Sequence, residues 1–157
     1  YHFPGMRVLQ FELDQMSPAE DYPSNSVVST GTHDNDTLLG WFESLPVKSS
    51  NGDMITQNKL LQFFQCAKEN IHWEIISYAL STASYTVIIP LQDIMGENSS
   101  ARFNTPGTLS PDNWSWRMEE GKLTHSLKNK LAELTKSHRR NGSAIKNLLK
   151  KEIESWK

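Results

Sequence analysis

The sequence predicts an α/β fold, in which helices cover both faces of a parallel sheet. Three short apolar segments, at 6–11, 26–30 and 85–90, have the composition of strands buried on both faces. Helical patterns and loops alternate with them, which is typical of parallel strands joined by crossover connections. Hydrophobic residues make up 37% and charged residues 22% of the 157 residues, so the chain is expected to be globular.

The first third of the chain alternates turn signals with apolar runs. Its predicted elements are a turn at Pro4-Gly5, a strand at 6–11, a loop at 17–25 and a strand at 26–30. The second strand ends at Gly31, and a run of five polar residues follows at 32–36. Asp36 or Thr37 is expected to cap a helix that begins at Leu38.

The remainder of the chain is mostly helical. Apolar residues repeat every three or four positions over 60–79, which predicts an amphipathic region with a break near Asn70. The third strand is predicted at 85–90 and the final helix at 123–134, with one more short helix or a tail over the last fifteen residues. The segment 93–121 is too long for a simple connector, and long ordered loops tend to be functional.

Bulk properties exclude several classes of protein. A net charge of -2 does not indicate the strongly basic surface that binds nucleic acid. The longest apolar stretch, 87–90, is too short to span a membrane. The single cysteine, Cys66, favours a reducing, cytoplasmic location. Because the sequence begins at Tyr1, in a loop-like segment, we expect it to be a fragment of a longer protein.

The polar segment 31–37 is the most informative part of the sequence. It lies at the carboxyl end of a predicted strand, the edge at which parallel α/β folds bind ligands. Consecutive polar side chains there need water, each other or a substrate as partners. Two interpretations remain open on these residues alone: a ligand site, or an Asx-type turn that caps the next helix.

A metal site is a further alternative for the same segment. His33, Asp34 and Asp36 offer nitrogen and oxygen donors. However, adjacent residues of an extended segment point in opposite directions, and a zinc or iron site usually recruits a further histidine. We therefore expect no metal and no cofactor.

Four sequence blocks resemble one known family when they are taken in order. They are Pro4-Gly5-Met6 leading into 8–11, the run GTHDNDT at 31–37 with Gly40-Trp41, the run IPLQD at 89–93, and the run ARFNTPGT at 101–108 ahead of NWSWR at 113–117. Together they resemble the family-77 glycoside hydrolases, the 4-α-glucanotransferases, over about residues 4–135. The resemblance implies the C-terminal part of a (β/α)₈ barrel, about strands 6 to 8. It places the barrel segment at 1–138 and a C-terminal helix or tail at 139–157.

The resemblance also implies a retaining double displacement on α-1,4-glucans. Asp34 would be the carboxylate that stabilises the transition state, and His33 and Asn104 would bind the sugar. The implied partners are a maltooligosaccharide donor, a sugar acceptor and the remainder of the barrel. The nucleophile and the acid/base are expected upstream, so these 157 residues alone are expected to be inactive.

Some candidates have a weaker basis. Asp36 and Trp41 are candidate substrate contacts, and Trp114 and Trp116 also offer aromatic faces that suit glucose rings, although core packing is an alternative for each tryptophan. Gln92, Asp93 and Arg102 are candidates for a buried polar network beneath the site. Two alternative functions stay open: a related α-glucan hydrolase and a noncatalytic α-glucan-binding module.

Overall fold

Three parallel strands form the sheet of this chain. The computed structural model describes residues 3–13, 19–48 and 55–140. The strands are β1 (Gly5–Val8), β2 (Ser26–Ser29) and β3 (Thr86–Ile88). They are hydrogen-bonded in the order β1-β2-β3, with Met6 opposite Val27 and Val27 opposite Thr86. The predicted parallel sheet is confirmed, and β2 lies in its centre.

Helices connect and follow the strands. The α-helices of the described ranges are α1 (Leu9–Glu12), α2 (Leu38–Ser44), α3 (Gln57–Phe64), α4 (Ile71–Ser81), α5 (Leu91–Met95) and α6 (His125–Ser137). Short 3₁₀ turns lie at Ala19–Asp21, Lys68–Asn70 and Ser99–Ala101.

The first strand is shorter than predicted. It ends at Val8, and the chain turns directly into α1, where the Leu13 N–H donates to Leu9 O at 2.9 Å. Leu9 and Leu13 are both buried. Residues four positions apart lie on the same face of a helix, so this segment faces the core as a helical turn does. A short apolar run does not distinguish a buried strand from a helical turn, which explains the error.

The predicted break near Asn70 is confirmed. α3 ends at Phe64, and Gln65 follows in the left-handed region with φ 49°. The 3₁₀ turn Lys68–Asn70 then leads into α4. The break re-aims the chain so that both helices contribute apolar side chains to the core.

The helix that follows the central strand, α2, packs into the hydrophobic core. α4 contacts both α2 and α5. Phe42 of α2 and Ile75 of α4 are fully buried. The start of α2, immediately after the polar segment 31–37, is therefore fixed by packing as well as by hydrogen bonds.

The chain divides into two compact units. Residues up to Lys122 form the first, and Leu123 begins the second, which contains α6. Thr124 caps α6 by accepting a hydrogen bond from the Leu127 N–H at 3.2 Å. The predicted boundary between 138 and 139 stays a prediction, and the predicted helix or tail over the last fifteen residues lies outside the described residues. No helix within the described ranges has the length and apolarity required to cross a membrane.

Candidate active site

The candidate site lies at the carboxyl edge of the sheet. The segment 31–37, called the β2 loop from here on, follows β2, and Ile89 and Pro90 follow β3. The two strands are parallel, so both segments leave the sheet at the same edge. This edge is where parallel α/β folds bind their ligands.

The β2 loop is shaped by residues other than Asp34. Oδ1 of Asn35 accepts hydrogen bonds from the Thr32 N–H at 2.9 Å and from the Thr32 hydroxyl at 2.7 Å. Thr37 caps α2 by accepting from the Gly40 N–H at 3.1 Å. The helix cap therefore exists and Thr37 makes it, whereas Asn35 bonds back to Thr32 and does not form the expected Asx-type turn, which bonds two residues onward. The Asp34 carboxylate takes no part in either.

The Asp34 carboxylate faces two other candidate residues. Asn104 Nδ2 donates to Asp34 Oδ1 at 2.7 Å, and His33 Nε2 lies 3.3 Å from the same oxygen. Arg102 holds the backbone, because its Nη2 donates to Asp34 O at 2.8 Å and its Nε donates to Asn104 O at 2.9 Å. About half of the Asp34 side chain, 47%, is exposed. The carboxylate is thus oriented by the Asn104 amide and the His33 imidazole and is open to a ligand.

An aromatic side chain packs against His33. The Trp114 ring centroid lies 5.2 Å from that of His33 and 5.1 Å from that of Phe103. The Trp114 N–H donates to Phe103 O at 2.8 Å, although Trp114 has a left-handed φ of 65°. A left-handed backbone costs a non-glycine residue about 1–2 kcal/mol. The fold accepts this strain where a half-exposed indole meets the candidate sugar-binding histidine.

Asp36 has local partners for both carboxylate oxygens. Ser99 Oγ donates to Oδ2 at 2.8 Å, and the Thr37 N–H donates to Oδ1 at 2.7 Å. Its backbone oxygen accepts from Gln10 Nε2 at 2.8 Å. Asp36 therefore ties the β2 loop to α1 and to the 3₁₀ turn Ser99–Ala101. These contacts anchor the loop, whatever Asp36 contributes to a ligand.

Asp93 lies beneath the β2 loop. It is almost fully buried, with 2% of its surface exposed. Its Oδ2 accepts from the Thr30 hydroxyl at 2.6 Å, and its Oδ1 accepts from the Leu38 N–H at 2.8 Å. Burial raises the pKa of the Asp93 carboxyl from 3.8 to about 6; the two hydrogen bonds lower it, and the charge of Asp36 raises it slightly further. The residues predicted as one network hold separate partners, since Gln92 Nε2 donates to Ala101 O at 3.3 Å.

A cavity of about 260 Å³ opens beside these groups. Its lining comes from the β2 loop, from the end of β3 with α5, and from the loop after α5. The lining residues are Thr32, His33, Asn35, Asp36, Thr37, Pro90, Gln92, Asp93, Ala101, Arg102 and Phe103. The structure thus brings His33, Asp34 and Asn104 together and sets Asp36 in the wall. Asp34 and Asn104 lie beside the cavity and are not among its lining residues, and the same holds for Trp41, which is half-buried on α2.

Sequence reasoning pointed to Asp93 and Arg102 beneath the site but missed two other groups that hold the β2 loop, Ser99 and Gln10. Ser99 and Gln10 reach Asp36 across 63 and 26 residues, and no local pattern reports such pairings. Within the ranges that the structure describes, no group of three or more His, Cys, Asp or Glu side chains is arranged to hold a metal ion.

Comparison with known proteins supplies the family. The sequence model described as 4-alpha-glucanotransferase, of glycoside hydrolase family 77, matches residues 1–124. A 4-alpha-glucanotransferase of Synechocystis is 39% identical over 146 residues, which are 89% of this chain and 27% of the relative. A chloroplastic/amyloplastic 4-alpha-glucanotransferase of Arabidopsis thaliana is 42% identical over 120 residues, which are 73% of this chain and 19% of the relative.

A solved structure agrees with the sequence matches. The amylomaltase of Streptococcus agalactiae, determined in complex with acarbose, superposes with a TM-score of 0.73 at 28% identity. The match covers 87% of this chain and 27% of that protein, so this chain spans about a quarter of the length of the relatives it resembles. The fold, the edge that bears the polar groups and these matches agree: the chain belongs to the 4-alpha-glucanotransferase family, glycoside hydrolase family 77.

Proposed function

We propose that this chain supplies the transition-state-stabilising carboxylate, Asp34, to a 4-α-glucanotransferase. The complete enzyme would transfer α-1,4-glucan segments between maltooligosaccharides by a retaining double displacement. One observation carries the proposal: the half-exposed Asp34 carboxylate, at the carboxyl edge of the central strand, contacts both His33 and Asn104. A carboxylate with a purely structural role would turn toward a buried partner.

The chemistry requires an anion at this point. Glycosyl transfer passes through an oxocarbenium-like state, in which positive charge develops on the sugar ring. A pre-oriented carboxylate beside that ring stabilises the charge more in the transition state than in the ground state, which is the condition for raising kcat. Asp34 meets this condition because Asn104 holds its carboxylate and Arg102 holds its backbone carbonyl. Neither contact places a second carboxylate beside it.

His33 and Asn104 fit the recognition of sugar hydroxyls. An imidazole and an amide each offer donor and acceptor groups, which match the mixed hydrogen bonding of a glucose ring. Both side chains contact the same oxygen of Asp34, so a hydroxyl bound there would meet all three residues. We keep Asp36 and Trp41 as weaker candidates, since both carboxylate oxygens of Asp36 already accept hydrogen bonds and Trp41 is half-buried on α2.

The remaining catalytic groups are proposed to come from outside these residues. This chain spans about a quarter of the length of the relatives it resembles, so further groups of a sugar site would come from outside it. We propose that this chain forms about strands 6 to 8 of a (β/α)₈ barrel, and that the upstream strands supply the nucleophile and the acid/base. Glucose release from maltotriose by this chain alone would contradict that division.

The cellular setting follows from one composition feature. The chain contains a single cysteine, Cys66, so it cannot form an internal disulfide. We propose a reducing, cytoplasmic location and no cofactor. Donor and acceptor are proposed to be α-1,4-glucans, with neither nucleic acid nor membrane as a partner.

Asp34→Asn in the complete enzyme tests the function. The substitution removes the charge and keeps the size of the side chain, so maltotriose disproportionation should fall about 100- to 1,000-fold while maltodextrin binding is retained. Asp112→Asn is the matched control, because Asp112 is an exposed carboxylate of the loop after α5 that accepts from Ser110 Oγ at 3.2 Å. Its turnover should equal that of the wild type.

The outcomes separate the alternatives. Unchanged turnover in the Asp34→Asn enzyme contradicts the proposal and favours a noncatalytic glucan-binding module. Product analysis of the wild type distinguishes the remaining pair, because oligosaccharides longer than the substrate require transfer to a sugar acceptor. Products that are all shorter than maltotriose would indicate a hydrolase.

A further inference from the structure

We propose that Asp93 is a positioning residue for catalysis: it ties together the two ends of the β2 loop and so fixes where Asp34 is held. The inference rests on the proposed function of Asp34 and adds a second residue to it. Asp93 itself is buried beneath the loop and acts through Asp34.

The geometry is a bridge across the base of the loop. Thr30 is the last residue before the loop and Leu38 is the first residue after it. The Thr30 hydroxyl donates to one oxygen of Asp93 at 2.6 Å, and the Leu38 N–H donates to the other at 2.8 Å. Thr30 and Leu38 are both fully buried, so neither donor exchanges its partner for bulk water. One rigid carboxylate therefore sets the separation of the loop ends.

Packing alone does not explain a carboxylate at this point. Burial disfavours the charged form of Asp93, and the nearby charge of Asp36 adds to that penalty. A buried charge that can be replaced by apolar packing often costs stability, so its presence calls for another role. Perturbed carboxyl groups are concentrated at functional sites, and this one lines the candidate cavity.

The contacts of Asp93 affect Asp34 because different residues hold the ends of the loop and its centre. Asp93 holds the two ends, and residues further along the chain hold Asp34. Arg102 fixes the Asp34 carbonyl and Asn104 fixes its carboxylate, and both lie in the chain after α5. α5 also bears Asp93. Loss of the Asp93 contacts would release the loop ends from α5 and let the loop shift relative to Arg102 and Asn104. A displacement of about 1 Å in a catalytic group is enough to cost about 100-fold in rate.

The test compares two Asp93 variants in the complete enzyme. Asp93→Ala removes both acceptors, and kcat for maltotriose disproportionation should fall about 10- to 100-fold with KM within about twofold of the wild type. Asp93→Asn keeps an acceptor for Leu38 and a polar contact to Thr30, so it should restore most of the lost kcat. Rates are measured well below the unfolding temperature of each variant.

Ser84→Ala is the matched structural control. Ser84 is 1% exposed, and its hydroxyl lies 2.7 Å from that of Ser26, at the amino edge of the sheet and away from the site. This variant loses one buried hydrogen bond between two hydroxyl groups and should unfold at a lower temperature with an unchanged kcat. Equal losses of kcat in the Ala variants at 84 and 93 would overturn the proposal.

A second route covers the case in which Asp93→Ala fails to fold. Thr30→Val removes the donor to Asp93 and keeps a β-branched side chain, and it should lower kcat about 3- to 10-fold without changing KM. Where Asp93→Ala folds, Thr30→Val should cost much less in that background than in the wild type, because both changes break the same contact. Where it does not fold, a Thr30→Val enzyme with the wild-type kcat would contradict the inference. Full additivity, or an Asp93→Asn enzyme as slow as Asp93→Ala, would contradict the inference.

Asp34→Asn in the same series separates the two proposals. If it retains turnover, the proposed function fails and the Asp93 results have no catalytic meaning. If it abolishes turnover while Asp93→Ala keeps the wild-type kcat, the function stands and only the positioning role of Asp93 fails.

Discussion

Asn104 donates a hydrogen bond from Nδ2 to Asp34 Oδ1 at 2.7 Å, although 70 residues separate the two positions along the chain. The donor is a neutral amide, so it orients the carboxylate and leaves its negative charge in place. A charged donor would draw the carboxylate away from the developing cation on the sugar. The pairing thus combines a fixed position with an available charge.

Asn104→Asp should convert this support into repulsion. Two ionised carboxylates at hydrogen-bond distance repel each other, so the side chain introduced at position 104 would push Asp34 out of its position instead of orienting it. We expect kcat of the complete enzyme to fall about 100-fold at pH 7. Lower pH should recover part of the loss, because a protonated side chain at 104 donates as the amide does. The measurement is the pH profile of maltotriose disproportionation.

Asn98→Asp is the control for that change. Asn98 accepts from the Ser100 N–H at 3.0 Å, and an aspartate retains this contact while adding the same charge to the same region. Its pH profile should match that of the wild type. An Asn104→Asp enzyme with the wild-type profile would show that Asn104 does not contact Asp34 during turnover.

Gly40→Ala should destabilise the protein, although alanine normally favours a helix over glycine by about 1 kcal/mol. A Cβ at position 40 would collide with Ser99 Oγ and would lie 2.6 Å from Asp36 Oδ1. The Asp36–Ser99 hydrogen bond would have to break or α2 would have to move, at a cost of about 1–3 kcal/mol. Thermal unfolding of the complete enzyme measures the change.

Two variants check the cause of that loss. Ser99→Ala combined with Gly40→Ala removes part of the collision and should recover some of the stability. Gly5→Ala adds a Cβ that meets no atom of the described residues within 4 Å, so it should shift the unfolding free energy by less than about 0.5 kcal/mol. A Gly40→Ala protein as stable as the wild type would rule out the close approach of α2 to Ser99.

The pKa of Asp93 predicts how stability changes with pH. Its ordinary value is 3.8 and burial raises it to about 6, so the folded protein binds more protons than the unfolded chain between these values. Stability from this group is therefore full below pH 3.8 and is lost as pH rises through about 6. The loss corresponds to about 3 kcal/mol at neutral pH.

Asp93→Asn isolates this contribution because asparagine does not titrate. The unfolding free energy of the variant relative to the wild type should rise between pH 4 and pH 7 by up to about 3 kcal/mol. All other carboxyl groups titrate in both proteins and cancel. Ser84→Ala, which leaves Asp93 intact, should show a constant difference from the wild type across this range. A constant difference for Asp93→Asn would contradict the raised pKa.

Variants at Trp114 should separate the cost of its left-handed backbone from the contribution of its ring contact with His33. Glycine accommodates the left-handed φ of 65° and alanine does not, so Trp114→Gly should be about 1 kcal/mol more stable than Trp114→Ala. Both variants lose the indole that packs on His33, and both should lose catalytic efficiency to the same extent. Trp114→Phe keeps an aromatic ring and should retain most of it. An Ala variant at least as stable as the Gly variant would indicate that the loop relaxes away from this geometry.

The sequence predicts this fold best where local patterns decide the structure. Val27 and Val28 form a contiguous β-branched pair, and they lie in the central strand as predicted. The Thr37 cap and the break at Asn70 follow from propensities that act within a few residues. The prediction that the strand continues after Val8 is wrong, because a buried helical turn and a buried strand give the same short apolar pattern.

The site was predictable in part for a similar reason. The polar run marks the edge of the sheet, and the family resemblance points to His33, Asp34 and Asn104. Its supports come from long-range pairings, such as Asp93 with Thr30, whose spacing of 63 residues carries no local pattern. The sequence also did not distinguish Asp34, which is open, from Asp36, which is anchored by Ser99.

The late position of these anchors bears on synthesis at the ribosome. A nascent chain that has emerged to residue 90 contains the whole β2 loop and Gln10 but lacks four of the groups that hold the loop. The missing groups are Asp93, Ser99, Arg102 and Asn104. The central strand can pair before then, while the loop that bears Asp34 samples other conformations. We therefore expect the orientation of Asp34 to be fixed only after residue 104 has emerged, later than the pairing of β1 with β2.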